Sequence, residues 1–287
     1  MASDISLSSA TRTNLLSLQR TTDLIGRTQE RLSTGKKVNS AIDDALSFFN
    51  ARSLNNRASD LTSIKDGIAE GIQLLKATTD ALSSVEDIMQ QMKAVASNAK
   101  STAAADTTTR DKLSSQFNEL RSQIDHLVND ASYNGTNLIK SGADTLTVKF
   151  SEDNTADPKR QLSIKGVASD ASALSLNSAQ SGSATSAWGA STGHAAVIDS
   201  NINQLDSALT TVRTTAQTFG TNASLLQIRQ EFTDNLVTTL ESGAANLVNA
   251  DLNEESANML SLQTRQSLGS ISLSIAQQSE QSILRLF

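Results

Sequence analysis

The sequence predicts a mostly α-helical fold: a long antiparallel coiled-coil rod built from both chain ends, with a small β-hairpin and loop region in the middle. Three observations predict it. Leu61, Ile64, Ile68, Gly71, Leu75, Thr78, Leu82, Val85, Met89, Met92, Ala96 and Ala99 alternate by three and four, and ten of these twelve are apolar. A repeat held that long is the signature of a helix with a partner helix along one seam. The 287 residues hold one proline, Pro158, so the main helix breaker is missing from both long flanks. Finally, one end is basic and the other acidic, which favours their pairing.

Residues 1–34 read as one amphipathic helix. Leu18, Ile25 and Leu32 recur every seven residues, with Leu15 one turn before. Arg12, Arg20, Arg27, Arg31, Lys36 and Lys37 outnumber Asp4, Asp23 and Glu30 there. Gly35 is placed to end the helix. Ser40 and Asp43 have the spacing of a capping box, which predicts a second helix over about 41–100. Sixty helical residues would span roughly 90 Å. A polar turn at 101–109 leads to a third helix with Leu113, Phe117, Leu120, Ile124 and Leu127 on one stripe. The Asn134–Gly135 turn dipeptide ends it.

The middle changes character. Residues 146–150 and 161–165 alternate apolar and polar around a polar loop containing Pro158, which predicts a β-hairpin. The Ser/Ala/Gly/Thr-rich stretch 168–194 reads as solvated loop. Helical periodicity returns at Ile198, Ile202, Leu205, Leu209, Val212, Ala216 and Phe219, and continues less regularly to Leu247. In the last segment, 251–287, Leu268, Ile271, Ile275 and Leu286 share one face, while Leu273, Ala276, Ile283 and Phe287 share another. One partner helix cannot cover both, so the tail calls for neighbours. Asp251, Glu254, Glu255 and Glu280 outweigh Arg265 and Arg285 there.

Composition removes several function classes. With no cysteine, the chain has no disulfide, thiolate nucleophile or Cys-based zinc site. A net charge of −6 without a basic run argues against nucleic acid as the main partner. No apolar stretch approaches the ~18 residues of a membrane span. Residues 1–16 lack the apolar core of a secretory signal.

The ends carry motifs as well as periodicity. Residues 32–45 run Leu-Ser-Thr-Gly-Lys-Lys-Val-Asn-Ser-Ala-Ile-Asp-Asp-Ala; Tyr133 to Leu138 run Tyr-Asn-Gly-Thr-Asn-Leu; Ile275 to Leu286 run Ile-Ala-Gln-Gln-Ser-Glu-Gln-Ser-Ile-Leu-Arg-Leu. Together with Asp66-Gly67-Ile68 and Ala81-Leu82, these resemble the bacterial flagellins, in order and at both ends. Leu46-Ser47-Phe48-Phe49 follows the Asp-Asp pair and is similar to α-proteobacterial members. The middle is short, without the large outer domains of many flagellins. Gln91 and Ala94 stand where the family's innate-immune receptor segment has arginine and glutamate, so that recognition is not carried over.

The resemblance implies a structural subunit that self-assembles into an extracellular flagellar filament for swimming motility. The alternative is a hook–filament junction protein of the same superfamily. Implied partners are neighbouring copies in a helical filament, a flagellar export chaperone, and cap and junction proteins. Export would proceed through the type III channel, with no nucleic acid and no membrane insertion.

The domain expectation is threefold. Residues 1–40 with 251–287 form the terminal assembly domain, 41–140 with 195–250 the helical rod, and 141–194 the hairpin and loop on the rod's outer part. Expected self-assembly residues are Leu15, Leu18, Ile25, Leu32, Leu268, Ile271, Leu273, Ile275, Ile283 and Leu286. Expected rod-core residues are Leu61, Ile64, Ile68, Leu75, Leu82, Val85, Met89, Met92, Leu205, Leu209 and Val212.

No catalytic, cofactor-binding or metal-ligating residue is assigned. Gly189-Ala190-Ser191-Thr192-Gly193, next to His194, matches the Gly-x-Ser-x-Gly nucleophile elbow. That chemistry needs a strained strand-to-helix turn above a parallel sheet, and the surroundings here are low-complexity loop. His126 reads as a helix-surface residue. Met89 and Met92 fill the seam. Asp43 and Asp44 read as acids at a helix start, where the dipole favours them. Gly67 and Gly71 allow close helix contact.

Overall fold

The computed structural model describes residues 9–152 and 160–284. The elements are α1 (Ser9–Thr34), α2 (Ala45–Ser101), α3 (Thr107–Asp130), β1 (Thr145–Lys149), β2 (Gln161–Lys165), α4 (His194–Val248) and α5 (Leu252–Leu284). The chain forms two compact units. One comprises residues 1–58 and 238–287; the other comprises 59–237.

In the terminal unit, α1 packs against α5. α1 stops at Gly35, whose φ of +69° suits a residue without a side chain. The Gly35 N–H donates to the Arg31 carbonyl at 2.8 Å. The chain then pairs with the end of α4. The Lys37 and Val38 N–H groups donate to the Val248 carbonyl, Ala250 N–H donates to the Gly35 carbonyl, and Lys36 bridges Asn249 antiparallel.

Ser40 and Asp43 do not cap the next helix. Asp43 Oδ2 accepts from the backbone N–H groups of Asn39 and Ser40 and from the Ser40 hydroxyl, which closes a separate turn. Asp44 is the cap: its carboxylate accepts the Ser47 N–H at 3.1 Å and the Ser47 hydroxyl at 2.7 Å. The second helix therefore starts at Ala45, later than the expected 41, because the adjacent aspartate takes the capping role.

In the central unit, α2 and α4 run antiparallel and share one core. Ile68, Leu75, Leu82, Val85, Met89 and Met92 from α2 join Ile198, Leu205, Leu209, Val212, Phe219 and Leu226 from α4. Helix α3 adds Phe117, Ile124 and Val128. Asp106 caps α3 by accepting the Thr109 N–H. α3 ends at Asp130, where Asn137 reaches back. The Asn137 Nδ2 donates to the Val128 and Asn129 carbonyls, while its Oδ1 accepts from Ile139 and Lys140 N–H. Asn134 and Gly135 then form a tight turn, both at positive φ, bracketed by reciprocal Tyr133–Thr136 backbone bonds.

The hairpin forms as the alternation predicts, with Thr145 opposite Lys165 and Lys149 opposite Gln161. Its inward residues are Val148 and Ile164. The loop residue Pro158 lies outside the described residues.

Residues 166–193 correct the expectation of a solvated loop. They carry no regular element, yet Ala171, Leu174, Leu176, Ala179, Ala187, Trp188 and Ala190 are buried. The segment is strapped along α3, antiparallel to it, by α3 side chains that answer its backbone. Asp125 accepts from Ala171 N–H, Arg121 donates to the Leu176 carbonyl, and Asn118 both donates to and accepts from Ala179. Asp111 accepts from Gly182 N–H. At the N-terminal end of α3, the wholly buried Arg110 donates to the carbonyls of Trp188 (2.7 Å) and Ala190 (2.9 Å). The same guanidinium also donates to the Ala103 and Ala104 carbonyls. Buried backbone groups need partners, and here side chains stand in for a ladder. The small-residue composition is required by fit: a Cβ on Gly189 would collide with the Asp111 carboxylate and the Gly182 carbonyl.

Candidate assembly surface

The terminal unit is built on a heptad pairing. On α1, Thr11, Asn14, Leu18, Thr21, Ile25, Thr28 and Leu32 are buried or half-buried at alternating spacings of three and four. On α5, Glu255, Met259, Leu262, Gln266, Gly269, Leu273 and Ala276 follow the same rule. The two seams meet where Leu18 Cδ1 lies against Gly269. Arg31 Nη1 pairs with Glu255 Oε1 at 2.9 Å, at the end of the pairing where Gly35 and Ala250 are already hydrogen-bonded.

The seam is poor in large apolar groups. Thr, Asn, Gln, Gly and Ala fill half of it or more, so it buries little apolar area per turn. Much of the apolar surface points elsewhere. Leu268, Ile271 and Ile275 are 62%, 56% and 58% exposed. Leu15, Leu16 and Leu24 on α1, and Leu252 and Leu260 on α5, are exposed as well. Single exposed leucines need no explanation, whereas a file of them along one helix face marks a contact surface.

The expected self-assembly residues thus divide into two sets. Leu18, Ile25, Leu32 and Leu273 lie in the α1–α5 seam, half-buried within one chain. Leu15, Leu268, Ile271 and Ile275 lie open. Leu286 lies outside the described residues, as does the side chain of Ile283. The expected self-assembly set left out Ile42, Leu46 and Phe49, which are exposed around the 40–44 turn, Ile42 almost completely at 96%. Their signal was present: three large apolar residues beside an Asp-Asp pair that already marks a turn.

Of the expected rod-core residues, Ile64 is half-buried and the others are buried. The residue missed is Arg110. It sits on the buried stripe of α3 with Ser114, Phe117, Ile124 and Val128. An arginine in register with apolar neighbours was the available signal.

The turn at 39–47 has an electrostatic character of its own. Hydrogen bonds from the Ser40 backbone, then its hydroxyl, then the Asn39 backbone hold the Asp43 carboxyl below its ordinary value. The Ser47 hydroxyl, then its N–H, do the same for Asp44. A lowered carboxylate stabilises the fold above the ordinary value of 3.8 and loses that contribution as pH falls through the lowered one. Amide exchange at Ser40 and Ser47 should therefore be protected at neutral pH and lose protection only below pH 3.8. Asp44→Ala should remove the Ser47 protection at all pH values. Protection that persisted in this variant would show that the carboxylate does not hold the cap.

The elbow-like motif lies in the strap. Gly189 and Ala190 are buried, Ser191 is exposed, and His194 opens α4. The only sheet among the described residues is the two-stranded antiparallel hairpin. An elbow needs a strand leading into the nucleophile, and none precedes Ser191. His126 is exposed on α3. Among the described residues no helix is long and apolar enough to cross a membrane.

Comparison with known proteins follows the same layout. A family model for the bacterial flagellin N-terminal helical region matches residues 5–144. A model for the bacterial flagellin C-terminal helical region matches residues 202–287. The chain is 33% identical to Flagellin FljM of Caulobacter vibrioides, across 95% of this chain and 94% of that one. It is 29% identical to a flagellin of Brucella melitensis biotype 1, across 100% and 99% of the two chains. Flagellin C of Rhizobium meliloti is also 29% identical, across 91% of each.

Proposed function

The chain belongs to the bacterial flagellin family and is a filament subunit; on that premise, we propose that it polymerises through the open apolar faces of its terminal unit. The observation that carries this is the division of α5. One face is spent on α1, and the other, with Leu268, Ile271 and Ile275, has no cover within the described chain. In a polymer of identical subunits, a contact between two different patches does not close on itself and so propagates.

The terminal segments 1–40 and 251–287 act as the assembly domain in this reading. Leu15, Leu268, Ile271 and Ile275 contact neighbours, while Leu18, Ile25, Leu32 and Leu273 hold α1 and α5 together for that contact. The seam is weak enough that neighbours complete its stability, which couples folding of the ends to assembly. Weak ends also suit passage through the type III channel as an unfolded chain, with an export chaperone covering the C-terminal apolar segment beforehand. Cap and junction proteins would meet the same terminal surface. The central unit supplies a preformed support, with its core in the α2–α4 seam. The role is structural, without catalysis. The named relatives are flagellins, which favours the filament subunit over a hook–filament junction protein.

Deletion of residues 1–34 or of 251–287 tests the reading. Either truncation should abolish seeded polymerisation while the 59–237 unit keeps its helical circular dichroism and its melting transition. Filaments of ordinary length from either truncation, seen by electron microscopy, would overturn it.

A further inference from the structure

Four ion pairs cross between α2 and α4 in the central unit. Lys65 Nζ meets Asp234 Oδ1 at 2.8 Å, and Arg213 Nη2 meets Glu86 Oε1 at 2.6 Å. Lys93 Nζ meets Asp206 Oδ1, and Lys100 Nζ meets Asp199 Oδ1, both at 2.5 Å. The residue numbers of every pair add to 299. The rungs are separated by three heptads, one heptad and one heptad on both helices, so all four occupy one heptad position. Each follows a seam residue directly: Ile64, Val85, Met92 and Ala99 on α2, and Ile198, Leu205, Val212 and Thr233 on α4. Same-position pairing across the seam is what an antiparallel arrangement produces. On the opposite flank, Leu74 and Val95 on α2 and Asn201, Ala208 and Thr215 on α4 are buried.

A heptad seam has an inherent ambiguity. Sliding one helix by seven residues, about 10.5 Å, puts seam positions opposite seam positions again. Seam residues therefore discriminate poorly between registers one heptad apart. The rungs are largely exposed, and pairs of that kind contribute little net stability. Their information lies in the order of signs. Lys65, Lys93 and Lys100 put the cation on α2, whereas Glu86–Arg213 puts it on α4. Slide α4 one way, and Lys93 faces Arg213. Slide it the other way, and Glu86 faces Asp206. Both slips create a like-charge contact, and each does so through the reversed rung. With uniform polarity, neither slip would.

We propose that the reversed Glu86–Arg213 pair is a register lock, a negative element that excludes one-heptad slips of the α2–α4 pairing as the chain folds. Specificity of this kind comes from penalising the alternatives rather than from strengthening the native contact. The two unfilled rungs, Thr79 opposite Gly220 and Ile72 opposite Gln227, provide places to read the register without disturbing a charge.

The chain has no cysteine, so paired cysteines report cleanly. In the full chain, Thr79→Cys with Gly220→Cys reports the native register, and Gly220 has open space where a side chain would go. Thr79→Cys with Gln227→Cys reports the slip that places Lys93 against Arg213. Each reporter pair is built into the wild-type background, into the swap Glu86→Arg with Arg213→Glu, and into a control swap Lys65→Asp with Asp234→Lys. The proteins are refolded by dilution from denaturant at low salt and trapped with a short bis-maleimide.

The Glu86/Arg213 swap keeps a native ion pair but turns Lys93 opposite position 213 from repulsive to attractive. Its slipped cross-link should rise about threefold to tenfold over wild type, with the native cross-link falling in step. In the same slip, position 65 faces Glu241, which the control swap meets with a like charge, so its slipped cross-link should not exceed that of wild type. At 1 M salt, where the screening length is about 3 Å, the difference should vanish. If the double swap does not fold, Arg213→Gln removes the repulsion alone and must still raise the slipped cross-link. An unchanged slipped fraction in the swap, or an equal rise in the control swap, overturns the proposal.

Discussion

Replacing Leu268, Ile271 and Ile275 together by glutamine is expected to stop filament growth while the monomer melts as before. All three are more than half exposed and point away from the α1 seam, so the free chain loses little by their change. Glutamine is a good helix former, so α5 keeps its propensity. In the polymer, each side chain would pass from partial exposure to burial at about 1–2 kcal/mol. The triple change thus removes about 3–6 kcal/mol per contact and raises the critical concentration by roughly two to four powers of ten. Leu82→Ala should do the reverse. Leu82 is wholly buried mid-seam, where such a truncation costs about 2–5 kcal/mol and lowers the melting temperature directly. Seeded growth followed by light scattering, beside calorimetry of the monomer, separates the two. A triple variant that polymerised normally would remove the open face of α5 from the assembly mechanism.

Arg110→Ala is expected to be among the most destabilising single changes in the central unit. The guanidinium is fully buried and answers four carbonyls, two from the turn before α3 and two from the end of the strap. Removing it strands the Trp188 and Ala190 carbonyls away from water at about 1–3 kcal/mol each. With the cavity, the expected loss is about 3–6 kcal/mol. Lysine should not rescue it, because a single ammonium cannot span the fork that Arg110 fills. The local readout is Trp188, which packs on Phe117 with ring centroids 5.0 Å apart and donates Nε1–H to Asn201. Its fluorescence should shift toward that of solvated indole as the strap loosens, ahead of the loss of helical signal. A variant with native melting and native emission would show that the strap holds itself in place.

The sequence and the structure agree where periodicity speaks and part where it is silent. The α2 seam, the Gly35 stop, the hairpin and the two-faced tail all follow from spacing, because helix and strand geometry turn spacing directly into a face. The strap could not be found in that way. Its order comes from α3 side chains spaced for helix geometry, each satisfying one backbone group of a segment that has no period. The composition of residues 168–194 is also that of a solvated loop; what differs is that Asp111, Asn118, Arg121 and Asp125 stand opposite it. The open apolar face proposed for assembly was legible as a surplus of apolar faces on the tail. Which face would meet α1 was not, because the seam uses Gly269, Gln266 and Ala276 as readily as Leu262 and Leu273.

The four rungs at constant register also govern how such a gene can change length. An insertion or deletion inside α2 moves every later rung out of step with α4, and only a matching change in α4 restores the pairing. Lineages should therefore gain or lose residues in these two helices together, and in whole heptads. Residues 102–193 carry no rung. Within that stretch α3 and the strap are bound to each other, but the loop between β1 and β2 can lengthen or shorten without a counterpart elsewhere, so descent should write its differences in size there and keep the paired helices equal in step.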